Sequence, residues 1–170
     1  VRMTLQWYPQ SQFAGYMMAV EKGFYREAGL AVELLFYTGG GSDPITRLTE
    51  GATDFSSAWL SSALVHRDQG EAIVNVSQVV RHSSLMIITR RADDIRTPHD
   101  LTGRSVGLWG GDFDVQPRAF FKKYSATPQI VRTHYTIVPF LRGAVDATAA
   151  MHYNEYHMLK ESGVDLKQLR

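Results

Sequence analysis

Short apolar blocks alternate along this chain with longer amphipathic stretches, and that pattern predicts the elements in order. Arg2 to Trp7 predicts a strand. Ala14 to Ala28 predicts a helix that stops at Gly29, since glycine takes the left-handed position after a helix at least cost. Ala31 to Phe36 predicts a strand broken once by Glu33, followed by the loop Gly39-Gly40-Gly41-Ser42-Asp43. Asp43 and Pro44 read as N-cap and first residue of a helix through Glu50. A short strand over Asp54 to Ala58, a helix over Ser61 to Gln69 and a strand over Ile73 to Val79 follow. Leu85 to Thr89 is one more strand, and polar Asp93 to Gly103 is a connection. The alternation then restarts: strand Ser105 to Trp109, helix Val115 to Tyr124, strand Ile130 to Thr133, short helix Ile137 to Arg142, strand Val145 to Ala150 and helix Asn154 to Ser162. Strand and helix in turn favour an α/β fold with a mostly parallel sheet.

The restart carries an internal echo. Gly51-Ala52-Thr53-Asp54 and Gly143-Ala144-Val145-Asp146 share the pattern Gly-Ala-x-Asp, each with a helix before it and a strand beginning at the aspartate. Upstream of each copy lies a strand ending in tryptophan, Trp7 and Trp109. Two tandem modules result, a first lobe over residues 1–90 and an incomplete second over 91–170. Open parallel sheets take ligands outside the carboxyl ends of their strands, so the loops after Trp7 and Trp109 are expected to face one another across a cleft.

Composition narrows the function. Among 170 residues, 18 Lys and Arg stand against 17 Asp and Glu, a net charge of +1. No basic excess marks a nucleic-acid or anionic-membrane binder. With 44% hydrophobic and 21% charged residues, the chain has the profile of an ordered globule. The lack of cysteine removes disulfides, thiolate metal sites and cysteine nucleophiles, and leaves the redox compartment open. No apolar run reaches the roughly 20 residues of a membrane-spanning helix. The start at Val1 has strand character rather than that of a signal peptide.

The candidate chemistry lies after the strands. Trp7, Tyr8, Gln10, Gln12 and Phe13 form a loop dense in aromatic and amide groups, suited to a planar ligand with donors and acceptors at its edge. Core packing is the alternative role of Trp7, Phe13 and Tyr16. Tyr37 and Gly40 belong to a glycine-rich turn before a helix, which lacks the Gly-Lys-Ser/Thr of a phosphate loop. Trp109 and Asp112 hold the same position in the second module, and Tyr153, Asn154 and Glu155 follow its last strand. Glu155 offers an acceptor for an amino or ring N–H, or else is a helix-start glutamate favoured by the dipole. Trp59 and Gln78 complete the set of candidate ligand contacts. His152 and His157 are too far apart in sequence to share a helix face, and no Gly-x-Ser-x-Gly elbow occurs. No metal, cofactor or catalytic residue is expected.

These residues resemble a known family. Trp7 to Tyr16, the run Ala19-Val20-Glu21-Lys22-Gly23-Phe24-Tyr25-Arg26-Glu27-Ala28-Gly29-Leu30, Gly51 to Phe55, Thr97 to Gly107, Phe140 to Asp146 and Tyr153-Asn154-Glu155 occur in the order seen in NMT1/THI5-like proteins. That family comprises solute-binding proteins of ABC importers, related sensor domains and a fungal pyrimidine synthase. The resemblance implies a type II periplasmic-binding-protein fold, two α/β lobes with a ligand cleft between them. It also implies a small heteroaromatic ligand, such as a thiamin pyrimidine precursor or riboflavin, an ABC permease as partner, and a periplasmic or extracellular location with or without a lipid anchor. Members that bind or make the pyrimidine usually read Trp-x-Pro-Asn-x-x-His, and here Gln10 and Phe13 stand in the last two named places, which leaves room for a flavin or another aromatic ligand. The synthase's cysteine-rich motif has no counterpart, so a binding protein rather than an enzyme is expected. The family usually runs about twice as far, so this chain is expected to be either a fragment or a shortened member; a fragment would leave apolar faces to be covered by a partner or by another copy of itself. Two other functions stay open, a ligand-sensing domain of a membrane receptor and an enzyme acting on a pyrimidine. Flanking sequence separates the first from a carrier, and turnover of the ligand identifies the second.

Overall fold

The alternation of strand and helix is realised as two separate sheets. The computed structural model describes residues 1–170, which divide into the units Val1–Gln78 and Val79–Arg170. In the first, β1 (Arg2–Leu5), β2 (Glu33–Phe36) and β3 (Phe55–Ser56) form a parallel sheet in the order β2-β1-β3. Its helices are α1 (Ala14–Glu21), α2 (Phe24–Glu27), α3 (Pro44–Thr49) and α4 (Leu60–Asp68). The single helix expected over Ala14 to Ala28 is two, because Gly23 adopts φ 79° and turns the chain between them. Asp43 caps α3 as expected, its carboxylate accepting the Ile45 N–H at 2.9 Å and the Thr46 N–H at 3.2 Å.

Residues 73–79, expected as a strand, join neither sheet. Their alternating valines meet solvent, Val74 at 81% and Val76 at 73% exposure. Alternation reports a segment suited to a half-buried pleated surface; it does not supply the neighbouring strand.

In the second unit, β4 (Leu85–Thr89), β5 (Ser105–Leu108), β6 (Gln129–Arg132) and β7 (Ala147–Met151) form a sheet in the order β4-β7-β5-β6. Its helices are α5 (Val115–Lys123), α6 (Val138–Leu141) and α7 (Glu155–Glu161). All pairs are parallel except β4 with β7, which run antiparallel from Leu85 opposite Met151 to Thr89 opposite Ala147. That ladder holds β4 in the second unit, whereas a division after residue 90 assigns it to the first. β7 lies between two strands and is buried along its length, so it carries mostly small residues, Ala147, Ala149 and Ala150 among them. Ile88 of β4 and Ala150 of β7 pack with Ile137, Phe140, Val145 and Leu159 as one apolar cluster.

The echo seen in the sequence is a structural repeat. β2-β1-β3 and β6-β5-β7 share order and parallel sense. Gly51 and Gly143 have φ 73° and 72°, a left-handed backbone that side chains resist, and each ends the preceding helix. The next N–H reaches back to the helix in both copies, Ala52 to the Arg47 carbonyl and Ala144 to the Pro139 carbonyl, each at 2.8 Å. The aspartates then clasp the neighbouring strand: the Arg2 N–H donates to Asp54 and the Ser105 N–H to Asp146, both at 2.7 Å. This alignment corrects the pairing of the tryptophans. With Arg2 equivalent to Ser105, Trp109 corresponds to Gln6, and Trp7 corresponds to Gly110.

Candidate functional site

Parallel strands deliver their loops to one end of a sheet, and in each unit that end gathers the aromatic and amide residues. In the first unit β1 runs into Trp7 and Tyr8, whose rings meet edge to face at 5.6 Å. The Tyr8 hydroxyl donates to the Thr38 carbonyl at 2.6 Å, tying the loop after β1 to the loop after β2. Trp7 is half-buried and Tyr8 exposed, so both rings retain surface for a ligand. Gln12 donates from its amide to Gln10 at 3.1 Å, fixing both side chains. Phe13 is only 2% exposed and lies edge-on to Phe36 at 6.2 Å; at this position the chain builds core.

Tyr37 is half-buried, and its N–H extends the β1–β2 ladder to the Leu5 carbonyl at 2.9 Å. Gly40 stands exposed in an open turn. The N–H groups of Ile45 and Thr46 are occupied by Asp43, which also accepts the Thr46 hydroxyl. Burial opposes ionisation of Asp43, but these hydrogen bonds and the nearby His66 outweigh it and hold the carboxyl below its ordinary pKa. Trp59 is the half-buried residue preceding α4, and Gln78 lies on the exposed segment after it, accepting from the Asn75 amide at 3.0 Å.

The second unit closes three rings into a triangle. Trp109 meets Phe113 at 5.7 Å and Tyr135 at 6.1 Å, while Phe113 and Tyr135 meet at 5.8 Å. Trp109 is the buried base, at 4% exposure, and Tyr135 the exposed member, at 44%. His134 and Tyr135 both have positive φ, 40° and 53°, a costly backbone that places Tyr135 over the tryptophan. Asp112 is half-buried in the turn Gly111–Asp114, and Asp114 accepts the Gly110 N–H at 2.8 Å and Arg118 at 3.2 Å. Phe113 and Tyr135 were absent from the sequence-based candidates. The repeat carried the signal for Tyr135, since the loop after β6 is the counterpart of the glycine-rich loop after β2.

The Tyr153-Asn154-Glu155 turn is organised inward. Glu155 is 4% exposed and accepts the Met151 N–H and the Asn154 amide, each at 2.8 Å, which fixes the step from β7 to α7. Burial, and then the Glu155 charge, push the Tyr153 hydroxyl well above its ordinary pKa. Both Tyr153 and Asn154 are half-buried. His152 precedes α7, so helical spacing does not separate it from His157; their rings meet at 5.8 Å, and His152 stacks on Tyr156 at 5.1 Å. No group of three or more His, Asp or Glu side chains is placed to hold a metal ion.

Comparison with known proteins agrees with this architecture. The formylaminopyrimidine-binding protein of Halalkalibacterium halodurans is 28% identical over 173 residues, a match covering 98% of this chain and 52% of that protein. The chain thus spans about half the length of the curated relative it matches. Among solved structures, the periplasmic aliphatic sulphonate binding protein SsuA of Escherichia coli superposes with a TM-score of 0.73 at 18% identity, over 100% of this chain and 55% of that one. The alkanesulfonate-binding protein SsuA of Xanthomonas axonopodis pv. citri, bound to MOPS, gives 0.68 at 17% identity, over 100% and 58%. At such identities the likeness is one of fold, the type II periplasmic-binding-protein fold. The model of the family described as NMT1/THI5 like matches residues 10–170, and the chain belongs to that family.

Proposed function

We propose that this chain is the ligand-binding part of an extracytoplasmic solute-binding protein that delivers a small heteroaromatic solute to an ABC permease. The observation that carries the reading is the gathering of side chains at the carboxyl ends of the parallel strands: rings and amides in one unit, Trp7, Tyr8, Gln10 and Gln12, and rings in the other, Trp109, Phe113 and Tyr135. Ring faces stack on a planar ligand while the amides select its edge. The relative named for binding a formylaminopyrimidine supports a pyrimidine-like ligand and a binding rather than a catalytic role. Closure of the two units on the ligand is the proposed mode of capture, with the ligand shifting a pre-existing open–closed equilibrium. Tyr37, Gly40, Asp112, Tyr153 and Asn154 are proposed as further contacts, whereas Phe13 and Glu155 act by supporting the loops that make them. Mass spectrometry of solute that copurifies with the protein tests this. A heteroaromatic compound recovered intact agrees with it; an aliphatic solute, or chemical conversion of the aromatic one on incubation, overturns it.

A further inference from the structure

One guanidinium at the strand ends of the second unit has no ion pair. Arg132 is the last residue of β6, opposite Leu108 of β5, and its side chain lies across the backbone of Gly110. A Cβ at position 110 would stand 2.6 Å from both Cζ and Nη1 of Arg132 and 2.9 Å from Nη2. Gly110 has φ 89° and ψ 174°, a region essentially reserved for glycine. The glycine is required by its own backbone, and the exposed end of the Arg132 side chain lies in the space that its missing Cβ leaves.

Several arginines of this unit bond to protein groups, Arg96 with Asp94 at the surface among them. Arg90 donates to the Val145 and Phe140 carbonyls and to Asp93, Arg118 pairs with Asp114, and Arg104 faces Asp146. Arg132 is exposed and has no carboxylate within 4.0 Å. It lies three residues before Tyr135, and Gly110 follows Trp109 directly, so it stands at the end of the sheet that carries the three-ring cluster. A planar, permanently charged fork, lying against a glycine and open to solvent, matches the two oxygens of an oxyanion.

We propose that Arg132 is a specificity-determining residue, receiving a carboxylate, phosphate or sulfonate group of a ligand whose ring lies against Tyr135. The ring's placement rests on the proposed binding function; the oxyanion site stands on Arg132 and Gly110. It narrows the ligand class to planar rings bearing an anionic group.

The test uses two ligand pairs that differ in the oxyanion, FMN with riboflavin and orotate with uracil, and a ring-free arm of inorganic phosphate and sulfate. Calorimetry on the wild-type chain should show one anionic member binding about tenfold or more tighter than its neutral partner. Arg132→Gln should bring that pair level without changing Tm, and Arg132→Lys, which keeps charge and loses the fork, should fall between. Phosphate or sulfate should raise the wild-type Tm more than that of Arg132→Gln, since a ligand of the native state stabilises it. If none of the four rings binds but the Arg132-dependent Tm rise persists, the oxyanion site stands and these flavin and pyrimidine rings are not its ligands. The proposal is overturned if charged and neutral partners bind wild type equally, if Arg132→Gln retains the preference, or if neither anionic rings nor inorganic anions distinguish Arg132→Gln from wild type.

Discussion

Asp146 clasps Ser105: its Oδ2 accepts the Ser105 backbone N–H and hydroxyl, each at 2.7 Å, and its own N–H donates to the Ser105 carbonyl at 3.0 Å. Asp54 and Arg2 make the same reciprocal backbone contact in the first unit, at 2.7 and 2.9 Å. The clasp sits where the parallel strands begin. It fixes their register at that end, so that the opposite ends carry loops in a set order.

Asp146→Asn should therefore lower stability and flatten its acid dependence. Hydrogen bonds from the Ser105 hydroxyl and then its N–H hold the Asp146 carboxyl below its ordinary pKa, against a smaller effect of burial. A carboxyl depressed in the folded state adds stability that is present above its unfolded pKa and lost as pH falls through the folded value. The expected cost at neutral pH is about 1–2 kcal/mol, discounted for partial exposure of the side chain. Thermal melts from neutral pH into the acid range should show wild type and variant converging; parallel curves would contradict the clasp's role.

Trp7→Ala should weaken binding of an aromatic ligand by about 1–3 kcal/mol, the range for losing a stacking platform. Melts with and without ligand, beside calorimetry, separate this from packing. A lowered Tm with unchanged affinity of the folded protein would assign Trp7 to the core.

Glu155→Gln should act mainly on stability. The carboxylate is buried and accepts from both the Met151 N–H and the Asn154 amide, so a charged acceptor is lost where no water replaces it. A loss of about 1–3 kcal/mol by chemical denaturation is expected. An unchanged denaturation midpoint together with lost affinity would instead make it a direct ligand acceptor.

Val74→Lys combined with Val76→Lys should leave stability within about 0.5 kcal/mol of wild type, because both side chains already stand in solvent. A large drop in Tm would show these valines packed against a neighbour.

Much of this fold was legible in the residues because local signals and global structure agree. Asp43-Pro44 opens a helix, Gly51 and Gly143 end helices, and the two Gly-Ala-x-Asp elements begin equivalent strands. Legibility failed where a pattern depends on a distant neighbour. Residues 73–79 alternate as a strand does but join no sheet, and Leu85–Thr89 gives no local sign that its partner is β7. The site was legible by position but less so by role. Ring-rich loops after strands were visible, whereas the burial of Phe13 and Glu155 and the meeting of Trp109 with Tyr135 arise only from tertiary packing. Arg132, one arginine in a short strand, has no sequence signature, and its place against Gly110 arises only from tertiary structure.

The proposed function stands or falls on capture of a planar heteroaromatic solute that is released unaltered. Calorimetric titration with a formylaminopyrimidine, riboflavin and FMN, followed by mass spectrometry of the recovered ligand, decides it. Saturable one-to-one heat from at least one of these, with its mass unchanged after prolonged incubation, is the predicted result. Absence of saturable binding for all three, or a ligand recovered with altered mass, would contradict it.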